Sequence, residues 1–193
     1  MAKKSKKNKN NATVLLLLGA AIGGFALFSS SGKEEEVEEG NGSGSGTGSG
    51  SGSGLPRGLS NNNPLNIVIS ELAWLGKINL KDNTDGRFEQ FMAPEYGYRA
   101  AVKNMRYYYD NEGRTNLKNI IERWNGLGLP SSNYIKYVSD KTGIGQTAKI
   151  PRDFLYNAEK LWPIIRSMAE WENDPKYSNL VKYSDYYKGF KLT

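Results

Sequence analysis

The sequence predicts a mainly helical (α+β) domain with a small extended region, tethered to an N-terminal transmembrane helix. Three observations predict it. Ala12 to Phe28 is a run without a single charge, preceded by Lys3, Lys4, Lys6, Lys7 and Lys9. Residues 40–54 are almost pure Gly and Ser, which cannot form a core and so mark a boundary. Beyond Pro94, apolar residues recur three or four apart, the period of an amphipathic helix.

At about 1.5 Å per residue, the uncharged run extended through Ser29–Ser31 approaches the roughly 30 Å thickness of a bilayer core. Residues 1–11 thus read as a basic N-terminus and 12–31 as a membrane anchor. The lysines predict the N-terminus inside and the globular part outside. A cleavable signal peptide fits the same pattern. Gly19 and Gly23 form a G-x-x-x-G pair of the kind that brings helices together. Residues 32–54 form a linker, first acidic and then Gly/Ser-rich, whose 15-residue Gly/Ser part has a root-mean-square reach of about 20 Å.

Residues 55–193 are the globular domain. They carry 20 of the 22 aromatic residues and a net charge of +5. Asn61-Asn62-Asn63-Pro64 is a turn cluster, because Asn tolerates left-handed backbone. Ile67 to Ile78 is apolar apart from Glu71 and Lys77, and Arg87 to Phe91 alternates as a short strand does, Phe88 and Gln90 to one side, Glu89 and Phe91 to the other. A helix is expected from Pro94 to Asp110. Thr115 is expected to cap a second, ended by Gly126, and Ser131 or Ser132 to open a third, ended by Gly143. A fourth begins near Pro151 or Asp153, and Pro163 divides it from a fifth that runs to about Asn173.

The chain holds 26 Lys and Arg against 20 Asp and Glu, with no histidine and no cysteine. That absence excludes Ser-His-Asp and Cys-His nucleophiles, His-ligated zinc, zinc fingers and disulfides. Neither a metal nor a cofactor is expected, and proton chemistry falls to carboxylates, Tyr or Lys.

The stretches Arg57-Gly58-Leu59-Ser60-Asn61-Asn62-Asn63-Pro64-Leu65-Asn66-Ile67, Trp74-Leu75-Gly76, Gly86 to Phe91 and Pro94 to Ala100 resemble a family of phage virion proteins with lysozyme-like or lytic transglycosylase-like domains. The resemblance continues through Ile120 to Trp124 and Tyr134 to Ser139 and ends near Trp171-Glu172-Asn173. A looser likeness to flagellar-type glucosaminidases has the motifs in another order, as in a circular permutation of a lysozyme-type fold. Two departures stand out: Asp174 where the family usually has Gly, and Asn125-Gly126-Leu127-Gly128-Leu129-Pro130 where it is usually Pro-rich with its own Glu-Asn.

Cleaving a β-1,4 glycosidic bond needs a carboxyl that keeps its proton near neutral pH, hence one that is buried or beside a charge. At about 100° per residue, Ile165, Met168, Ala169 and Glu172 share one helix face, so Glu172 finishes the apolar stripe. Glu170 falls on the other side, where an exposed pair with Arg166 would keep it ionised. Glu172 is the expected catalytic acid, which the resemblance supports; its competing reading is a solvated helix-end carboxylate near Lys176. Glu71, Asp85, Glu89 and Glu95 are candidates for a second carboxylate, and none stands out, which suits a lytic transglycosylase. Asn63, Asn66, Gln90, Tyr96 and Tyr98 are candidate glycan-binding residues, with turn formation and core packing as their structural readings.

The expected function is a membrane-anchored, virion-associated enzyme that cleaves the peptidoglycan glycan strand during phage entry or release. The expected partners are peptidoglycan, a lipid membrane through residues 12–31 and other virion proteins, with no specific nucleic acid; the lysines are explained by topology. The alternative is a non-catalytic structural or wall-binding virion protein of the same fold.

Overall fold

A computed structural model describes residues 54–193. The basic segment, the span expected at residues 12–31 and nearly all of the linker lie outside the described residues, and among those described no helix is long and apolar enough to cross a membrane. The domain is mainly helical. Its elements are α1 (Arg57–Ser60), α2 (Pro94–Glu112), α3 (Leu117–Asn125), α4 (Ser132–Thr142), α5 (Arg152–Leu155), α6 (Ala158–Glu172) and α7 (Tyr183–Lys191), with 3-10 turns at Leu80–Asp82 and Pro175–Leu180.

The long helices start and stop where local chemistry dictates. Pro94 opens α2, its fixed φ suiting a first turn, and Gly113 closes it in the left-handed region at φ 67°. The cap of α3 is Asn116, not Thr115: its side chain accepts the Asn119 N–H at 2.9 Å. Gly126 and Gly143 end α3 and α4 as expected.

Pro163 does not divide the fourth and fifth expected helices. The region instead holds the single turn α5 and a continuous α6 with Pro163 inside it. Proline removes only the hydrogen bond to the carbonyl four residues back, Glu159, and both residues are solvent-exposed, so water can satisfy that carbonyl. The strand expected at Arg87 to Phe91 reduces to isolated antiparallel bridges, Val68 with Phe88 and Lys77 with Phe91. Backbone bonds such as Glu89 N–H to the Ile67 carbonyl at 2.8 Å persist, and Asn63 adds to them, donating to the Ile67 and Glu89 carbonyls, both at 2.9 Å, and accepting the Ile67 N–H. Its alternation survives in part, Glu89 and Phe91 being buried.

The core is one cluster. It holds Tyr98, Ala101, Val102 and Met105 of α2 and Ile164, Ile165 and Met168 of α6, with Ile120, Ile121, Ile135 and Val138 from α3 and α4. Helix α7, in a C-terminal stretch the sequence left unassigned, packs on α2 so closely that a Cβ on Gly189 would lie 2.3 Å from the Glu95 carbonyl. Of the tyrosine run on α2, Tyr108 and Tyr109 are buried, and the Tyr109 hydroxyl donates to the Ile150 carbonyl at 2.7 Å.

Candidate active site

Helix α6 carries its apolar face to its last turn, and there the face ends in Glu172. The N-terminal Asn-rich segment folds over that end. Asn66, at φ 51°, donates its amide to both the Glu172 carbonyl (3.2 Å) and the Glu172 carboxyl (3.1 Å). Asn173 fixes the same junction from the helix side, donating to the Pro64 carbonyl at 2.6 Å and the Ala169 carbonyl at 2.8 Å and accepting the Leu59 N–H at 3.1 Å. The two amides leave room for nothing larger than glycine beside them: a Cβ on Gly58 would lie 2.5 Å from Asn173 Oδ1 and 2.7 Å from Asn66 Oδ1.

Glu172 as a residue is half-buried, but its carboxyl is enclosed enough for burial to dominate its ionisation. Burial raises its pKa to about 7, against the Asn66 hydrogen bond and the Tyr134 hydroxyl, which both pull it down. The fully buried Tyr134 hydroxyl feels the Glu172 charge without a hydrogen bond of good geometry, and burial and that charge push its own pKa well up. The Tyr134 ring stacks on Trp171 with centroids 5.2 Å apart and planes 16° apart. Asn66 Oδ1 is also buried without a partner. A carboxyl with a neutral-range pKa therefore sits beside two unpaired polar atoms.

Glu170 differs from the expectation. It does pair with Arg166, at 2.8 Å, but it is only 4% exposed, and the Tyr137 hydroxyl also donates to it at 3.1 Å. Two cations reach this one carboxylate, since Lys141 lies 4.0 Å away. The reason is α4, which packs over this flank of α6 and covers what helix periodicity alone leaves in solvent.

The other candidates are placed differently. Asn63 is fully buried and spends its amide on backbone, so its side chain is a structural brace and not a ligand for glycan hydroxyls. Gln90 bonds Asn61 and Thr84. Tyr98 is 1% exposed, edge-on to Trp162 and Tyr186 in the core, with no face open to a sugar. Tyr96 is half-buried over Gly76, at φ 72°, where any side chain would collide with its ring. Only Asn66 of the five joins Glu172. Tyr134 and Trp171, which complete the arrangement, are legible in hindsight as aromatics at the α4–α6 contact.

Among the further carboxylates, Glu89 is fully buried and held by Lys77 at 2.9 Å and by the Ser70 N–H and hydroxyl. Burial works to raise the Asp85 pKa, but hydrogen bonds from Asn61, Phe88 and Arg87 and the Arg57 guanidinium hold it below the usual range. Glu95 lies in the first turn of α2, a favourable place for negative charge. Glu71 is exposed. Among the described residues no three metal-ligating side chains cluster.

Fold and site together define a small helical domain with a glutamate at the end of one helix whose pKa burial raises. The chain belongs to a bacteriophage protein family: it is 36% identical to protein P5 of Pseudoalteromonas phage PM2 over 143 residues, covering 70% of this chain and 80% of that protein. No protein-family model matches it.

Proposed function

We propose that this protein is a lysozyme-like, virion-associated enzyme that cleaves the β-1,4 glycan strand of peptidoglycan, anchored in a membrane by residues 12–31 with its globular domain outside. The observation that carries the reading is Glu172, a carboxyl with its pKa raised to about 7 at the end of an apolar helix face. Such a group is protonated often enough at neutral pH to donate to the leaving glycosidic oxygen. A retaining or inverting hydrolase needs a second carboxylate as nucleophile or base. Glu89 and Asp85 are tied to cations, so a single-acid route is favoured. In that route Glu172 protonates the glycosidic oxygen as the C–O bond breaks. The sugar's own hydroxyl attacks the anomeric carbon, its proton returns to the Glu172 carboxylate, and an anhydro end is left.

The test is clearing of purified cell walls by the full-length protein, wild type beside Glu172→Gln. Clearing by wild type and a loss of at least a hundredfold in the variant is expected, with anhydro ends on the released fragments. Equal clearing by both would remove Glu172 from the chemistry. No clearing on walls of any type would favour a structural or wall-binding virion protein of the same fold.

A further inference from the structure

A second cleft runs along the same helix. Trp162, Pro163, Arg166, Ser167 and Glu170 of α6 and Lys141 of α4 line a cavity of about 290 Å³. By helix geometry Glu170 falls on the other side of α6 from Glu172, and α4 borders both. Tyr134 of α4 faces Glu172; one turn on, Tyr137 reaches Glu170; a further turn on, Lys141 lines the cleft. Trp171 stands between them, packed on both tyrosines. Ten residues of helix separate Trp162 from Glu172, about 15 Å along the axis.

The charges in this cleft do not balance. Glu170 Oε1 is 2.8 Å from Arg166 Nε, and its Oε2 is 3.1 Å from the Tyr137 hydroxyl and 4.0 Å from Lys141 Nζ. One carboxylate, 5% exposed at its side chain, thus answers two cations whose own side chains are 50% and 53% exposed. The lining keeps one positive charge at a half-open mouth, beside the apolar surfaces of Trp162 and Pro163. A monoanion matches that remainder. A dianion does not, because the fixed Glu170 carboxylate in the same wall repels its second charge.

We propose that this cleft binds a carboxylate-terminated peptide, the carboxylate bridging Arg166 and Lys141 and the adjoining chain lying on Trp162 and Pro163. Arg166 uses only its Nε on Glu170, so its terminal nitrogens are the donors suited to a second carboxylate. The inference extends the glycan reading, since a wall strand held at Glu172 carries peptide branches, and the cleft's far end at Trp162 lies about 15 Å along the helix from Glu172. Its test does not depend on cleavage.

The experiment is a titration of the full-length Glu172→Gln protein in detergent micelles, followed by the Trp162 indole N–H resonance, assigned with Trp162→Phe. The probes are N-acetyl-alanyl-alanine, its C-terminal amide and inorganic phosphate. A saturable shift with the free dipeptide is expected, with the amide and phosphate at least tenfold weaker. The double substitution of Lys141→Ala and Arg166→Ala, both at half-exposed side chains, should weaken the dipeptide at least tenfold with an unchanged circular dichroism spectrum. Glu170→Gln should improve phosphate binding at least fivefold by removing the repelling charge. A flat titration, an amide that binds as well as the acid, or phosphate tighter than the dipeptide with Glu170 in place would overturn the proposal. A flat titration beside normal wall clearing sinks only the cleft; a saturable titration beside absent clearing sinks only the glycan reading.

Discussion

Glu172 and Asp174 both hold unfavourable states at the end of α6, and each makes a measurable prediction. The Glu172 pKa is raised from 4.5 to about 7 in the folded chain. Because the folded state then binds a proton more tightly than the unfolded state, the associated stability is fully present below pH 4.5 and is lost as pH rises through about 7. Glu172→Gln removes that loss. The variant should match the wild type near pH 4 and exceed it by about 3 kcal/mol at pH 8, measured by urea unfolding at both pH values. Equal stability of the two proteins at pH 8 would mean that the carboxyl is solvated. Asp174 sits at φ 68° and ψ 124°, a backbone region that L side chains rarely adopt. This is the position where the resembled family has Gly, and the structure supplies a physical reason. Asp174 offsets part of its strain by accepting the Lys176 N–H at 3.0 Å and pairing with the Lys176 ammonium at 3.1 Å. Strain of this kind costs about 1–3 kcal/mol and an exposed pair returns little, so Asp174→Gly should raise stability by about 1 kcal/mol. Thermal unfolding reads the sign, and a lower Tm would show that the local hydrogen bonds outweigh the strain.

At the scale of elements, the site depends on the joint between the N-terminal Asn-rich segment and the end of α6. Asn173 is 2% exposed and makes three hydrogen bonds there, to the Pro64 and Ala169 carbonyls and from the Leu59 N–H. Asn173→Ala takes the partner from the Pro64 carbonyl and the Leu59 N–H, while the Ala169 carbonyl keeps the backbone N–H of residue 173, and at roughly 1 kcal/mol each the loss is about 2 kcal/mol. For a domain of this size that corresponds to a fall in Tm of roughly 7 °C. Wall clearing should fall further than the folded fraction does, because Asn66 loses its register on Glu172; a proportional fall would separate the joint from the site. Three of the domain's helices were readable, since α2, α3 and α4 announce themselves by period, Pro94, Gly126 and Gly143. Glu172 was readable too, as the last member of an apolar stripe. Burial contributed by a neighbouring element was not. Helix α4 covers Glu170, and α2 and α7 enclose Tyr98; a single helix's periodicity holds no information on either. The continuity of α6 through Pro163 was likewise hidden, because it turns on whether the freed carbonyl meets solvent.

At the scale of the whole chain, the proposed function turns on charge and on attachment through the N-terminal region. The globular part carries a net +5 of the chain's +6, a charge that favours contact with acidic polymers at low salt. The Gly/Ser run of residues 40–54 is the proposed tether. The proposed holder is the uncharged run from Ala12 to Phe28, with its lysines fixing the direction. If it spans a bilayer, the full-length protein reconstituted in vesicles should float with lipid in a density gradient at 1 M salt, where attraction of the lysines alone is screened. Replacing Leu15, Leu16, Leu17 and Leu18 by Ser should leave the protein at the bottom of the gradient while preserving clearing of isolated walls. Protease added outside inverted or right-side-out vesicles then reads orientation, the domain being cut from one population only. Flotation that disappears in 1 M salt would reduce the attachment to surface electrostatics. A chain cut short after residue 31 by its host would instead mean that the segment is a cleaved signal, and the domain would reach the wall untethered.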